Sequence, residues 1–178
     1  MSLGRVLYRV RQFFLALRAP ADPQDLEQAR SVLAPAQIKL FAGMQSGEQA
    51  HAVNVYRQLV AQGETSSDLL AAALLHDVGK SLSPLHLWER ILIVLARAVL
   101  PAQSRRWGSL PMEGLRGWRR AFIIAEQHPA WGADLAAEAG ASPQTVVLIR
   151  QHQEPASTVA DPETKCLLSK LQAVDDNN

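Results

Sequence analysis

The sequence predicts an all-α fold. Apolar residues recur at helical spacing along the chain, Ser-Pro and Asp-Pro pairs mark helix starts, and no convincing strand pattern appears. With 178 residues, one domain with a real core is the expectation. The apolar content of 48% excludes a disordered chain. A net charge of +1 gives no general electrostatic case for nucleic acid or for acidic partners.

Residues 3–18 carry Leu3, Val6, Leu7, Val10, Phe13, Phe14 and Leu17 at helical spacing, with Arg5, Arg9, Arg11 and Arg18 between them. Pro20 and Pro23 close this amphipathic helix. It could touch a membrane or a partner. The simpler reading is a helix that packs its apolar stripe on the domain and leaves its arginines solvated. Further helices are expected over residues 25–33 and 35–42. Ser46 then caps a helix from 47 to about 62, with Gln49 completing a capping box and Gly63 at its end.

Asp68 opens the next helix, and residues 81–85 make a turn. A long apolar helix runs over residues 87–100. Its apolar run is broken by Arg97, ends at Pro101 and is too short to span a bilayer. Residues 101–117, with two prolines and three glycines, read as a loop. Trp118, Phe122, Ile123 and Ala125 belong to a helix leading to His128, after which Pro129 either starts a new helix or kinks the old one. Gly140 ends that segment. Ser142-Pro143 and Asp161-Pro162 each place a capping side chain before a proline at the first helical position, starting helices that reach His152 and Asp175. The lone Cys166 cannot form an internal disulfide and reads as a small buried hydrophobe. The N-terminus lacks a secretory signal, so a cytoplasmic protein is expected.

The segment Ala71-Ala72-Ala73-Leu74-Leu75-His76-Asp77-Val78-Gly79-Lys80 breaks the apolar logic of its own helix. Core packing does not ask for His beside Asp at the end of so apolar a run, since Asp is almost never buried without a partner. An imidazole next to a carboxylate is a good pair of ligands for a divalent metal. Consecutive helical residues point about 100° apart, so both reach one ion only near a helix end, which Gly79 would supply.

Leu75-His76-Asp77-Val78-Gly79-Lys80 resembles the signature of the HD superfamily of metal-dependent phosphohydrolases. Four of the five histidines fall where that superfamily has ligands: His51, His76, His128 in His128-Pro129-Ala130-Trp131-Gly132, and His152. Asp175, in Ala173-Val174-Asp175, resembles the closing Ala-Asp of the family. The resemblance runs from roughly residue 45 to the C-terminus. It implies an N-terminal helical extension over residues 1–44 and a single HD-domain helical bundle over residues 45–178. The remaining histidine, His86, has no motif around it and reads as structural.

The same resemblance implies the chemistry. His51, His76, Asp77 and Asp175 would hold one ion. Asp77 would bridge to a second, held by His128 and His152. The cofactor would be one or two divalent ions, among Mn, Fe, Co, Ni or Zn. Asp77 would be catalytic, and Lys80 would neutralise phosphate, unless it is an ordinary exposed lysine. The implied activity is hydrolysis of a nucleotide or other small phosphate ester by metal-activated water. The branch that cleaves cyclic-di-GMP (HD-GYP) is disfavoured: Gln153 stands where it has a second histidine, and its Gly-Tyr-Pro element is missing. The dinucleoside tetraphosphate hydrolase branch is closer in spacing. Gln153 would also weaken a second metal site. This leaves two other readings open: a metal-binding but catalytically silent signalling module, and a peripheral protein that uses its basic N-terminal helix to touch a membrane or a partner.

Overall fold

Among the described residues, three helices begin on a side-chain oxygen that accepts an otherwise orphaned amide. Ser66 accepts from Leu69 N at 3.3 Å, Ser142 from Thr145 N at 3.0 Å, and Asp161 from Thr164 N at 2.7 Å. The computed structural model describes residues 23–111 and 117–177. Among them the chain forms α1 (Pro23–Val32), α2 (Pro35–Ala42), α3 (Ser46–Ala61), α4 (Ser67–Leu75), a 3-10 turn (Val78–Leu82), α5 (Leu87–Val99) and α6 (Pro101–Gly108). There follow α7 (Arg120–Glu138), α8 (Pro143–Gln151), a second 3-10 turn (Ala156–Thr158) and α9 (Pro162–Asp175). No strand occurs among the described residues, and the fold is all-α as the sequence predicts. The amphipathic segment 3–18 lies outside the described residues. Among those described, no helix is long and apolar enough to cross a membrane.

Several local expectations change. Residues 101–108, expected in a loop, form α6. Pro101 sits at its start, and its contact face uses small residues, Ser104 and Gly108, that give no apolar period to read. Gly108 is needed there: a Cβ would come within 2.6 Å of Glu126 Cβ on α7. Asp68 does not cap α4, since Ser66 does. Asp68 instead accepts from the hydroxyls of Ser142 and Thr145 and so pins the start of α4 to the start of α8. No capping box forms at Ser46. The Gln49 amide reaches back to the carbonyls of Phe41, Ala42 and Met44, satisfying the end of α2. Cys166 is exposed, because α9 turns Thr164, Leu168, Leu171 and Val174 inward and Cys166 falls on the other side.

Pro129 neither starts nor ends a helix; α7 runs through it. A mid-helix proline leaves the carbonyl four residues earlier without its amide donor. That carbonyl is Ala125 O, and Arg97 on α5 donates to it at 3.3 Å.

Among the described residues two hydrophobic cores follow from this arrangement. The larger surrounds α4, whose residues Leu69 to Leu75 are all buried. It takes in Ala29 and Leu33, Phe41 and Met44, Val53, Val55 and Leu59, Leu148 and Ile149, and Leu168 and Leu171. The described part of residues 1–44 therefore packs into the same core as α4. The smaller core joins Leu85 and Ile93 to Ala121, Phe122, Ile124 and Ala125 of α7. A helix buried on every face ends up at the centre, so α4 delivers the His-Asp pair into the interior.

Candidate metal centre

The α-helical geometry of α4 ends at Leu75. His76 keeps helical angles, while Asp77 has φ −96° and ψ 3° and leads into the 3-10 turn. This change of path lets two neighbouring residues face one centre. His76 is 1% exposed and Asp77 4%. Gly79 is not required for the reason the sequence suggests, since its φ is not positive. It is required for closeness: a Cβ there would lie 2.0 Å from His128 O and 2.7 Å from Gly132 N. Glycine lets the turn lie directly against α7, and that contact brings His128 to Asp77.

Three histidines are aimed by their own helices. His76 Nδ1 bonds Ala73 O at 2.9 Å, His128 Nδ1 bonds Ile124 O at 3.0 Å, and His152 Nδ1 bonds Ile149 O at 2.8 Å. A carbonyl accepts only, so each Nδ1 carries the hydrogen and each Nε2 of a neutral ring presents a lone pair. This is how metal-ligating histidines are oriented. The rings form a chain: His51–His76, His76–His152 and His152–His128, with centroids 5.2–5.3 Å apart.

Asp77 sits between two groups. Its Oδ1 lies 3.1 Å from His128 Nε2 and 3.8 Å from His152 Nε2. Its Oδ2 lies 3.7 Å from His76 Nε2. Asp175, at the end of α9, bonds His51 Nε2 at 2.7 Å and lies 3.6 Å from His76 Nε2. The groups His51, His76, Asp77 and Asp77, His128, His152 could each hold a metal ion, their ligand atoms falling within 4.8 Å of one another.

The donor set fits a cation. His76 Nε2 is buried and has no hydrogen-bond partner, an expensive state for a polar atom. His128 Nε2 and His152 Nε2 stand 3.3 Å apart, and with both Nδ1 atoms protonated their lone pairs oppose each other. Burial pushes the His128 imidazole below its ordinary value. Burial, then His128 and His76, push His152 down to about 3. Both rings therefore stay neutral at pH 7, the form that binds metal. Metal–ligand bonds of about 2.1 Å place neighbouring ligand atoms roughly 3.0–3.4 Å apart, close to the spacings seen here.

The carboxylates are charged. Burial alone would raise Asp77, but the ammonium of Lys80 above all holds it well below the usual carboxylate range. Burial is likewise outweighed at Asp175, by His76 and by its hydrogen bond from His51. His51 is raised: burial lowers it, and Asp175 and Asp77 more than compensate. The His51–Asp175 hydrogen bond engages the same Nε2 that would face an ion, so a hydrogen there must leave before it can bind metal.

No family model matches the chain, and no curated protein or solved structure matches it significantly. The residues themselves therefore carry the functional argument.

All the ligand positions expected from sequence converge: His51, His76, Asp77, His128, His152 and Asp175. Lys80 is not an ordinary exposed lysine. Its Nζ lies 2.6 Å from Asp77 Oδ2 and 3.7 Å from Glu48 Oε2. Asp77 and Glu48 overcome the burial penalty and raise its pKa. Glu48 was not anticipated. It is 2% exposed, ion-pairs with Arg90 of α5 as well as Lys80, and lies one helical turn before His51. That spacing was the available signal. Gln172 also escaped notice. From α9 its amide donates to His152 O at 3.0 Å and to Glu154 O, fixing the turn that carries His152. His86 is exposed and sits just before α5. A cleft of about 740 Å³ opens over His152 and Asp175, with exposed Gln153 on its wall.

Proposed function

We propose that this protein is a metal-dependent phosphohydrolase of HD type, acting on a nucleotide or other small phosphate ester. The observation that carries the reading is Asp77: one buried, ionised carboxylate shared by two ligand groups, with imidazole lone pairs facing it on both sides. The motif order around His76-Asp77 supports the same family. Two divalent ions, when bound, polarise phosphoryl oxygens and acidify a water enough for attack at neutral pH.

The chain's own residues do the rest. Asp77 would be shared by the two ligand groups, with His51, His76 and Asp175 completing one and His128 and His152 the other. Lys80, anchored between Asp77 and Glu48, keeps Asp77 ionised and fixes the direction of Oδ2. The cleft over His152 and Asp175 admits substrate from one side, and the buried rings exclude bulk water from the other. Mixed imidazole and carboxylate ligation suits Mn, Fe, Co, Ni or Zn.

The runner-up is a metal-binding module without turnover. The exposed apolar side chains of α5, Trp88 at 53% and Val99 at 74%, favour it, because exposed apolar patches often mark partner surfaces.

Elemental analysis and turnover separate the readings. Wild-type protein loaded with Mn is expected to bind two ions of unequal affinity. It should hydrolyse a member of a panel of nucleotides, dinucleotides and phosphomonoesters, with cyclic-di-GMP a poor substrate, and chelator should abolish this reversibly. Asp77→Ala should lose metal and turnover while keeping its helical circular dichroism. Wild-type metal content in that variant would refute the site. A fully loaded protein inert on the whole panel would favour the silent module.

A further inference from the structure

The cleft that reaches the candidate metal ligands is also lined by arginines from α5 and α6. Arg97 comes from α5 and Arg105 from α6, and both line the same space as His152 and Asp175. Arg97 spends one guanidinium nitrogen on Ala125 O, and Glu126 pairs with it at 3.8 Å. Its side chain remains 44% exposed, with further N–H groups to offer. Arg105 is exposed, and no carboxylate among the described residues pairs with it. The two cations are close enough to feel each other: burial first, and Arg105 as well, destabilise the charge on Arg97. Among the described residues these two guanidiniums meet one carboxylate at ion-pair distance, Glu126 beside Arg97, which leaves one positive charge without a partner. Arg150 differs, because Asp134 holds it at 2.6 Å. The other cleft carboxylates, Glu154 and Asp176, lie beside His152 and Asp175, at the α8–α9 end rather than on α5 or α6.

Guanidinium is planar and forked, and it matches phosphate oxygens in pairs. A cleft of about 740 Å³ accommodates a small molecule rather than an atom-sized ligand. We propose that Arg97 and Arg105 form an anion subsite for a second phosphate group, so that the preferred substrate carries a chain of at least two linked phosphates. This proposal builds on the phosphohydrolase reading by naming the substrate class: one phosphate lies over the metal ligands, and the other at the arginines. A phosphomonoester reaches only the first position. The arginines are specificity residues here and touch no reacting atom.

The test uses the full chain with free Mn held constant, so that chelation by oligophosphates affects wild type and variants alike. Inorganic phosphate, pyrophosphate and tripolyphosphate are titrated calorimetrically into the full chain. Wild type should bind tripolyphosphate about tenfold more tightly than phosphate, the gain expected from one added charge-assisted contact. Arg105→Gln should lose most of that preference and keep the wild-type thermal midpoint, since Arg105 is exposed. Arg97→Gln should lose it as well, and Arg97→Lys should restore part of it, which controls for the structural bond to Ala125 O. Equal tripolyphosphate binding by wild type and Arg105→Gln overturns the subsite. A separate Mn titration keeps the two readings apart. If wild type binds no Mn and yet shows the arginine-dependent preference, the metal reading fails and the subsite stands. If Mn binds and the preference is absent, the reverse holds.

Discussion

Around α4, every side chain from Leu69 to Leu75 is buried, and helices on both sides of it contribute to a single apolar cluster. Across the molecule, α5 has the same apolar character and a different fate: Trp88, Leu95 and Val99 stand 53%, 49% and 74% exposed. Only a handful of residues, such as Ile93 and Phe122, close the small core beneath it. What fastens α5 is largely polar: Arg90 to Glu48, Arg97 to Ala125 O, and Glu89 to Arg120. The candidate metal ligands therefore belong to the densely packed half, where each ring has one orientation. Arg97, Pro101 and Arg105 of the cleft wall belong to the half with fewer buried contacts, where local opening is least costly. A rigid centre thus faces a more adaptable wall.

Substitutions can break this contrast at either end. The largest effect is expected at Gly79, where the added methyl of Gly79→Ala meets His128 O and Gly132 N. Separating the turn from α7 should cost roughly 3 kcal/mol or more and lower the thermal midpoint by about 10 °C. Metal content should fall with it, because Asp77 and His128 move apart. A melting curve like wild type would mean that the turn is not the clamp we take it to be. Next comes Leu74→Ala in the large core, for which urea unfolding should register a loss of about 2–5 kcal/mol.

A smaller effect is expected at the start of α9. Side-chain and backbone hydrogen bonds from Thr164 hold Asp161 below its ordinary carboxylate value. Such a group contributes stability that is present above the unfolded pKa and lost as pH falls through the lowered folded value. Asp161→Ala should thus melt slightly below wild type at pH 7, with the gap closing in acid. A gap that widened in acid would reverse the assignment. The smallest effect belongs to α5: Leu95→Ala should stay within about 0.5 kcal/mol of wild type in urea unfolding. A loss as large as that at Leu74 would show that this face is covered, and the contrast between the two halves would disappear.

What was legible in the sequence was local. Ser142-Pro143 and Asp161-Pro162 declared helix starts because the capping oxygen and the fixed φ of proline act within a few residues. His76-Asp77 declared a site because that pair contradicts the apolar helix bearing it. The unreadable parts depend on partners distant in sequence. Glu48 acquires meaning only when Lys80 and Arg90 arrive from other elements. Gly79 looked like a helix stop, and its real constraint, the backbone of α7, is almost fifty residues away. Residues 101–108 looked like a loop because a helix that meets its neighbour through serine and glycine shows no apolar period. Cys166 was misjudged by identity, where the phase of α9 decides.

The proline within α7 has one more consequence. Pro129 leaves the Ala125 carbonyl with a vacancy, and Arg97 fills it from another helix. The residue that weakens α7 as an isolated helix thereby creates the attachment point that joins it to α5, immediately before His128. The two positions are not independent choices. An alanine at 129 would restore the backbone donor and leave the arginine's hydrogen in surplus. A residue without a donor at 97 would leave the carbonyl in surplus. Only the joint change balances donors and acceptors again, so the pair should behave non-additively in a double-mutant cycle.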